Sequence, residues 1–239
     1  VLDQADARGG PAAWARSFGP ADARRLAPLR YRWIGGGELA LLARALGDVL
    51  DQHCSLQAAF LHHDRPAQPT VAPGLEGLVG ALRTAASRAA RLSTWTAAPR
   101  GLRYLLPAPS SGSACKRWCM FLRWMVRRPG PGAAGVDFGL WRAVSPARLV
   151  MPVDTHVHRI TRLMGLTARA SPSWRMACEL TEALRQLSPD DPLRHDFALA
   201  HLGISGHCRA RWSVEACPAC SLRPVCSAAR AGGPEAQRT

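Results

Sequence analysis

Four cysteines near the C-terminal end, Cys208, Cys217, Cys220 and Cys226, fall within 19 residues with the spacing C-x8-C-x2-C-x5-C. Four thiolates can hold a cubane [4Fe–4S] cluster, one protein sulfur to each iron, and a short loop carrying one C-x2-C pair can wrap such a cluster. Pro218 and Pro224 stiffen the loop and reduce the entropy lost on ordering it. Zinc is the main alternative. Its structural sites usually show two close pairs, whereas only one is present here and no His-x3–5-His follows. Arg209, Arg211, Arg223 and Arg230 surround the cysteines. A loop of fixed shape could hold them out toward phosphates, although solvated surface arginines would look the same.

The second candidate is a lysine. Thirty of the 31 basic residues are arginine, and Lys116 is the single exception. Arginine is not deprotonated in proteins and cannot act as an amine nucleophile; lysine can. A lone lysine in this background is a candidate for covalent chemistry, with chance survival as the plain alternative. Cys115 and Cys119 flank it and read as packing residues. Asp154 precedes a helical pattern as a candidate N-cap. His156 and His158 are two apart, diverge on a helix and would not share a metal, though His156 could help orient Asp154. Asp137-Phe138-Gly139 matches a kinase tripeptide without any accompanying nucleotide loop, so it reads as chance and leaves Asp137 a lesser carboxylate candidate. Trp118, Trp124 and Trp141 could stack on an extruded base, but aromatics at helical spacing are more often core.

The elements that must position these groups read as helices. Leu39, Leu42, Leu46, Val49 and Leu50 predict a helix over 38–53, and Leu75, Leu78, Val79 and Leu82 predict another over 75–92. Trp118, Phe121, Leu122, Met125 and Val126 line one side of a helix over 113–127. Asp154 starts a fourth that runs to Met164 and stops at Gly165. Ser171-Pro172 starts a fifth ending near Leu187, and Asp190 or Asp191 before Pro192 starts a sixth ending near Gly203. Proline- and glycine-rich breaks cover 65–74 and 129–135, and 227–239 reads as a polar, frayed tail. Strand signals are scarce, so the expected fold class is all-α.

The 239 residues suffice for a sizeable core. No apolar run approaches the ~20 residues of a membrane span, and residues 1–36 lack the apolar segment of an export signal. Clustered cysteines in a cytosolic chain read as metal ligands rather than disulfides. The net charge of +14 points to a polyanion, most commonly nucleic acid.

A C-x2-C-x5-C loop about 50 residues after a Val-Asp-Thr-His helix start resembles the endonuclease III branch of the helix-hairpin-helix DNA glycosylase superfamily. In that branch the first cysteine gap is normally x6. Pro152-Val153-Asp154-Thr155-His156-Val157-His158-Arg159 is similar to the superfamily's catalytic-aspartate segment. The stretch from about Leu105 to Cys226 resembles another bacterial branch more closely still. Shared phrases are Gly112-Ser113-Ala114-Cys115-Lys116-Arg117, Phe121-Leu122-Arg123-Trp124-Met125 and Val136-Asp137-Phe138-Gly139-Leu140-Trp141. Leu106-Pro107-Ala108-Pro109-Ser110-Ser111-Gly112 stands at the place of the superfamily hairpin, with one glycine in place of two.

The resemblance implies a two-lobed helical fold: an N-terminal helical region over 1–100, a hairpin and catalytic-aspartate region over 101–165, and C-terminal helices with the iron–sulfur loop over 166–239. It implies a monomeric cytoplasmic base-excision repair glycosylase acting on double-stranded DNA with a damaged base, and AP-lyase activity besides. Lys116 would be the nucleophile and Asp154 the catalytic carboxylate. Gly112, Ser113, Arg117, Arg209, Arg211 and Arg223 would contact DNA. Two other readings remain: a metal-stabilised DNA- or RNA-binding module without turnover, and, less favoured beside so much positive charge, an iron–sulfur redox protein.

Overall fold

Leucine stripes at helical spacing do form the core, and the computed structural model, which describes residues 2–129 and 136–232, is mostly helical. The chain divides into two compact units, Val1–Ala67 with Val71–Ser111, and Gln68–Thr70 with Gly112–Thr239. No helix among the described residues is long and apolar enough to cross a membrane.

The first unit holds α1 (Leu2–Ala7), α2 (Pro11–Arg16) and α3 (Pro20–Leu26), then β1 (Arg30–Tyr31) and β2 (Ile34–Gly35), an antiparallel pair. It continues with α4 (Gly36–His53), α5 (Leu56–His63), α6 (Ala72–Ala89) and α7 (Arg100–Leu105). The stripes expected over 38–53 and 75–92 are the buried faces of α4 and α6. The ring of Phe60 on α5 is fully buried against α6 at Gly74, where an added Cβ would lie 2.5 Å from the ring. Only glycine permits that approach, and truncating Phe60 to alanine would cost about 3–5 kcal/mol.

The second unit holds α8 (Lys116–Val126), α9 (Thr155–Leu163), α10 (Trp174–Arg185), α11 (Asp196–Ile204) and α12 (Ser227–Gly232). Its core includes Leu122, Met151, Val157, Ile160, Met176, Leu180 and Leu193. Residues 68–70 belong with it because their carbonyls are held by arginines: Arg148 donates to Gln68 and Thr70 at 3.0 Å, and Arg185 to Pro69 at 3.3 Å.

Five helix starts differ from expectation, two of them by beginning early: α4 at Gly36 rather than 38, and α6 at Ala72 rather than 75, inside the break expected over 65–74. α8 begins at Lys116 rather than 113, because Cys115 takes a left-handed conformation (φ 47°, ψ 32°) that no α-helix continues through. α10 is capped by Ser173, whose hydroxyl accepts from the Met176 amide, not by Ser171. The segment after Asp191 runs first as a 3-10 turn, Pro192–His195, before α11. Residues 227–232 of the expected tail form α12; residues 233–239, and 130–135 of the expected linker, lie outside the described residues.

Candidate active site and cysteine-lined cavity

Asp154 caps α9 with one carboxylate oxygen. Oδ1 accepts from the amides of His156 at 2.8 Å and Val157 at 2.7 Å. This is the interaction Asp is selected for at N-caps. The segment leading into it is buried, with Leu149, Val150, Met151 and Val153 at most 3% exposed. The Met151 amide donates to Thr181 on α10 at 2.9 Å, which fixes the carboxylate's position. The second oxygen, Oδ2, lies 3.6 Å from Lys116 Nζ. The two site residues singled out from sequence, 38 positions apart, thus meet within one compact unit.

Lys116 is the first residue of α8, where the helix macrodipole is unfavourable to a cation. The Asp154 carboxylate offsets that cost. Lys116 is delivered there by a tight turn in which Gly112 has φ +75° and Cys115 φ +47°, while the Cys115 amide donates to the Ser113 hydroxyl at 3.2 Å. The Lys116 side chain is 45% exposed and that of Asp154 18%, so the pair is reachable from solvent.

The His156 ring does not orient Asp154; its backbone amide does. The ring lies against Gly203 of α11, where an added Cβ would come within 2.6 Å of His156 Cβ. His158 points elsewhere, its Nε2 at 3.0 Å from the Arg169 carbonyl oxygen. Asp137 is no free carboxylate. It pairs with Arg127, which also binds Asp191 at 2.7 Å, and faces Arg123, 3.3 Å away. Arg123 in turn donates to the buried Asp196. Nothing in the sequence pattern signals this network, since Arg123 and Asp196 stand 73 positions apart.

Arg123→Met removes the cation that the buried Asp196 binds, while Asp137 keeps Arg127. Urea unfolding should show a loss of about 3–5 kcal/mol. Burial pushes the Asp196 carboxyl above the usual carboxylate range, against the pull of Arg123. The native chain therefore holds that proton more tightly than the unfolded one. The group's stabilising contribution is greatest below the ordinary carboxylate pKa and declines as pH rises toward its raised value.

Cys208, Cys217, Cys220 and Cys226 all line one cavity of about 340 Å³, together with Ile160 and Leu163 of α9 and Met164, which caps its C-terminal end. The cavity is roughly ten times the ~30 Å³ share of a single water, so it has room for a group of several atoms. Among the described residues no three His, Cys, Asp or Glu side chains converge on a single-ion site. These four cysteines are the residues that would hold a cluster or a zinc ion, since thiolates are ligands to both. The long first gap is taken up by a left-handed residue, Ala210 at φ 61°, and by a turn in which the Cys217 amide donates to the Ser213 carbonyl at 3.0 Å. The Ser213 amide in turn donates to Cys217 Sγ at 3.3 Å. Arg159 of α9 donates to the Cys208 carbonyl at 2.8 Å, so the helix capped by Asp154 also braces the cysteine loop.

The other thiols behave differently. Burial pushes Cys119 well above the usual thiol range and Cys178 upward as well, as expected of inert packing residues. Of the residues expected at DNA, Arg209 and Arg211 are exposed, Arg117 is half-buried, and the Arg223 guanidinium sits 5.9 Å over the Trp212 ring. The Gly112 carbonyl accepts from the Trp174 amide at 3.0 Å. In the hairpin segment, the Ser110 amide and hydroxyl both donate to Glu76, at 3.0 and 2.6 Å. A carboxylate thus occupies the Ser110 amide.

A helical chain with an amine–carboxylate pair and a cysteine-lined cavity is the class that fold and site define. A family model described as "Protein of unknown function (DUF2400)" matches residues 3–205, and the chain belongs to that family. The match ends before Cys208. No curated protein and no solved structure matches the chain.

Proposed function

We propose that the chain is a DNA glycosylase of the helix-hairpin-helix type with AP-lyase activity, acting on double-stranded DNA that carries a damaged base. The observation that carries this reading is the split use of Asp154: Oδ1 is fastened to backbone amides while Oδ2 faces Lys116 Nζ at 3.6 Å. A cap alone would need only the first. The damaged nucleotide is extruded from the duplex, and its C1′ is brought to the lysine. The Lys116 ammonium gives up a proton, for which the Asp154 carboxylate is the acceptor at hand. The Nζ lone pair then forms a bond to C1′ as the glycosidic C–N bond breaks, and the base leaves with that electron pair. The proton held by Asp154 passes to the departing base, and the carboxylate so restored stabilises the positive charge that develops on the sugar. The sugar ring opens to a Schiff base on Lys116, and β-elimination releases the 3′ phosphate.

Cys208, Cys217, Cys220 and Cys226 would hold a [4Fe–4S] cluster, with zinc the second choice, and the group would cross-link the loop bearing Arg209, Arg211 and Arg223. The protein is then a monomer of the bacterial cytoplasm working at the nucleoid. The Glu76–Ser110 contact favours one other reading, a metal-stabilised DNA- or RNA-binding module without turnover.

The test is a panel of duplexes carrying oxidised, alkylated, deaminated or abasic sites, read for base release and strand cleavage. Asp154→Asn separates the two readings. Asparagine caps helices as well as aspartate does, so stability is expected to hold. Base release on the responsive lesion should fall by roughly 10²–10³-fold, the size of effect seen when one transition-state electrostatic contact is removed. A variant with undiminished turnover, or a panel with no turnover at all, leaves the binding module.

A further inference from the structure

The first unit presents an aromatic and cationic surface that the Lys116–Asp154 site does not use. We infer that the β1–β2 hairpin and the adjoining face of α7 form a binding platform for an unpaired DNA strand. The hairpin reads Leu29-Arg30-Tyr31-Arg32-Trp33-Ile34. Tyr31 is 51% exposed and Trp33 42%, although large aromatic rings are ordinarily taken out of water. Arg32 turns the hairpin at φ 57° and its guanidinium lies 5.9 Å over the Tyr31 ring. Trp33 has the Tyr104 ring 4.8 Å away and the Arg100 guanidinium 4.8 Å over its face. Arg30 and Arg103 are exposed beside them.

The platform is built rigid. Ile34 is fully buried and anchors the second strand. The Glu38 carboxylate accepts from the Gly35 amide at 2.8 Å and from the Gly101 amide at 2.6 Å, which fastens the hairpin to the start of α7. That brings Arg100 and Tyr104, one helical turn apart, to Trp33. Gly101 is required there, because an added Cβ would lie 2.4 Å from Glu38 Oε1. Glu38 is spent on these amides, and residues 27–37 and 94–108 contain no other carboxylate.

Exposed rings interleaved with arginines, and no acid among them, match a ligand of alternating bases and phosphates. Bases stack on the rings without sequence preference, and the guanidiniums take the backbone. In a duplex the base faces are already stacked, so the ligand is unpaired. The choice of DNA over RNA rests on the function proposed above; the stacking chemistry does not.

The probe is a fluorescein-labelled oligothymidylate of about 15 nucleotides titrated with the full chain at several salt concentrations. Tyr31→Leu and Trp33→Leu keep apolar bulk and remove the ring. Each should weaken binding about five- to hundredfold with the salt slope unchanged. Arg32→Ala should weaken it and lower the slope by about 0.7. A 5-iodouracil oligonucleotide cross-linked to the native chain should give adducts on Tyr31 or Trp33, a readout that no variant's folding can obscure. Binding by both leucine variants within about twofold of native, or adducts only outside 29–35 and 100–104, overturns the platform. Tighter binding of oligouridylate than of oligothymidylate overturns its assignment to DNA. Because the readout is binding rather than base release, its failure leaves the Lys116–Asp154 reading standing, and the converse also holds.

Discussion

Lys116→Ala should reduce strand cleavage at the lesion by at least about a hundredfold, near 3 kcal/mol in activation free energy, with almost no change in stability. The two effects separate because of where the pair sits. With its lysine side chain 45% exposed, the Lys116–Asp154 ion pair contributes at most about 1 kcal/mol to folding. Asp154 keeps its cap bonds to His156 and Val157 without the lysine. The chemical step, by contrast, has no other side-chain amine to use, since the chain's remaining basic residues of this kind are arginines. Lys116→Arg sharpens the test. It retains the cation and its attraction for phosphate, so DNA binding should persist, yet a guanidinium does not give up the proton that attack requires. Cleavage by the arginine variant at the native rate would mean that Lys116 contributes charge alone.

Cys217→Ser should have the largest structural effect. Cys217 is bound into the loop four ways: its amide donates to the Ser213 carbonyl, its sulfur accepts from the Ser213 amide and donates to the Arg211 carbonyl at 4.0 Å, and its carbonyl accepts from the Cys220 amide at 3.2 Å. A serine oxygen can replace those hydrogen bonds in part but is a poor ligand to iron. Iron content should fall from about four per chain to near none. Structural metal sites contribute folding free energy outright, so the loop should open with the loss. Arg209, Arg211 and Arg223 make trypsin the natural probe. Cleavage after them should accelerate by more than about tenfold, as expected when opening becomes populated, while the first unit resists as before. One zinc per native chain in place of iron would transfer the site to the second choice. Native chain that binds neither metal would contradict the role given to the four cysteines.

The parts of this architecture that were legible in the sequence are those set by local chemistry. Asp154 was readable as a cap because Asp is a preferred N-cap, and Gly165, at φ +75°, marked the helix's end. Lys116 was readable by residue type alone. Its helix start was misplaced by three residues because a left-handed cysteine has no signature. The hairpin of Arg30–Gly35 has no sequence signature for the same reason: two-residue strands show no alternation, and Arg32 sits at φ 57° where asparagine or glycine would mark a turn. The Arg123–Asp137–Asp196 network is a product of tertiary packing. Its members lie on α8, on an irregular segment and at the head of α11, and no periodicity joins them. The cysteine spacing reads as a metal loop, but only the fold shows that α9 forms one wall of the cavity that those cysteines line and, through Arg159, braces Cys208.

The central claim is that the lysine amine becomes covalently joined to the sugar. Sodium borohydride reduction of the native chain mixed with lesion-bearing or abasic duplex reads this directly, because it converts a Schiff base into a stable bond. The account predicts a protein–DNA adduct whose mass maps to the peptide containing Lys116 and which is absent from Lys116→Ala. No adduct on any substrate that the protein cleaves, or an undiminished one in Lys116→Ala, would contradict it.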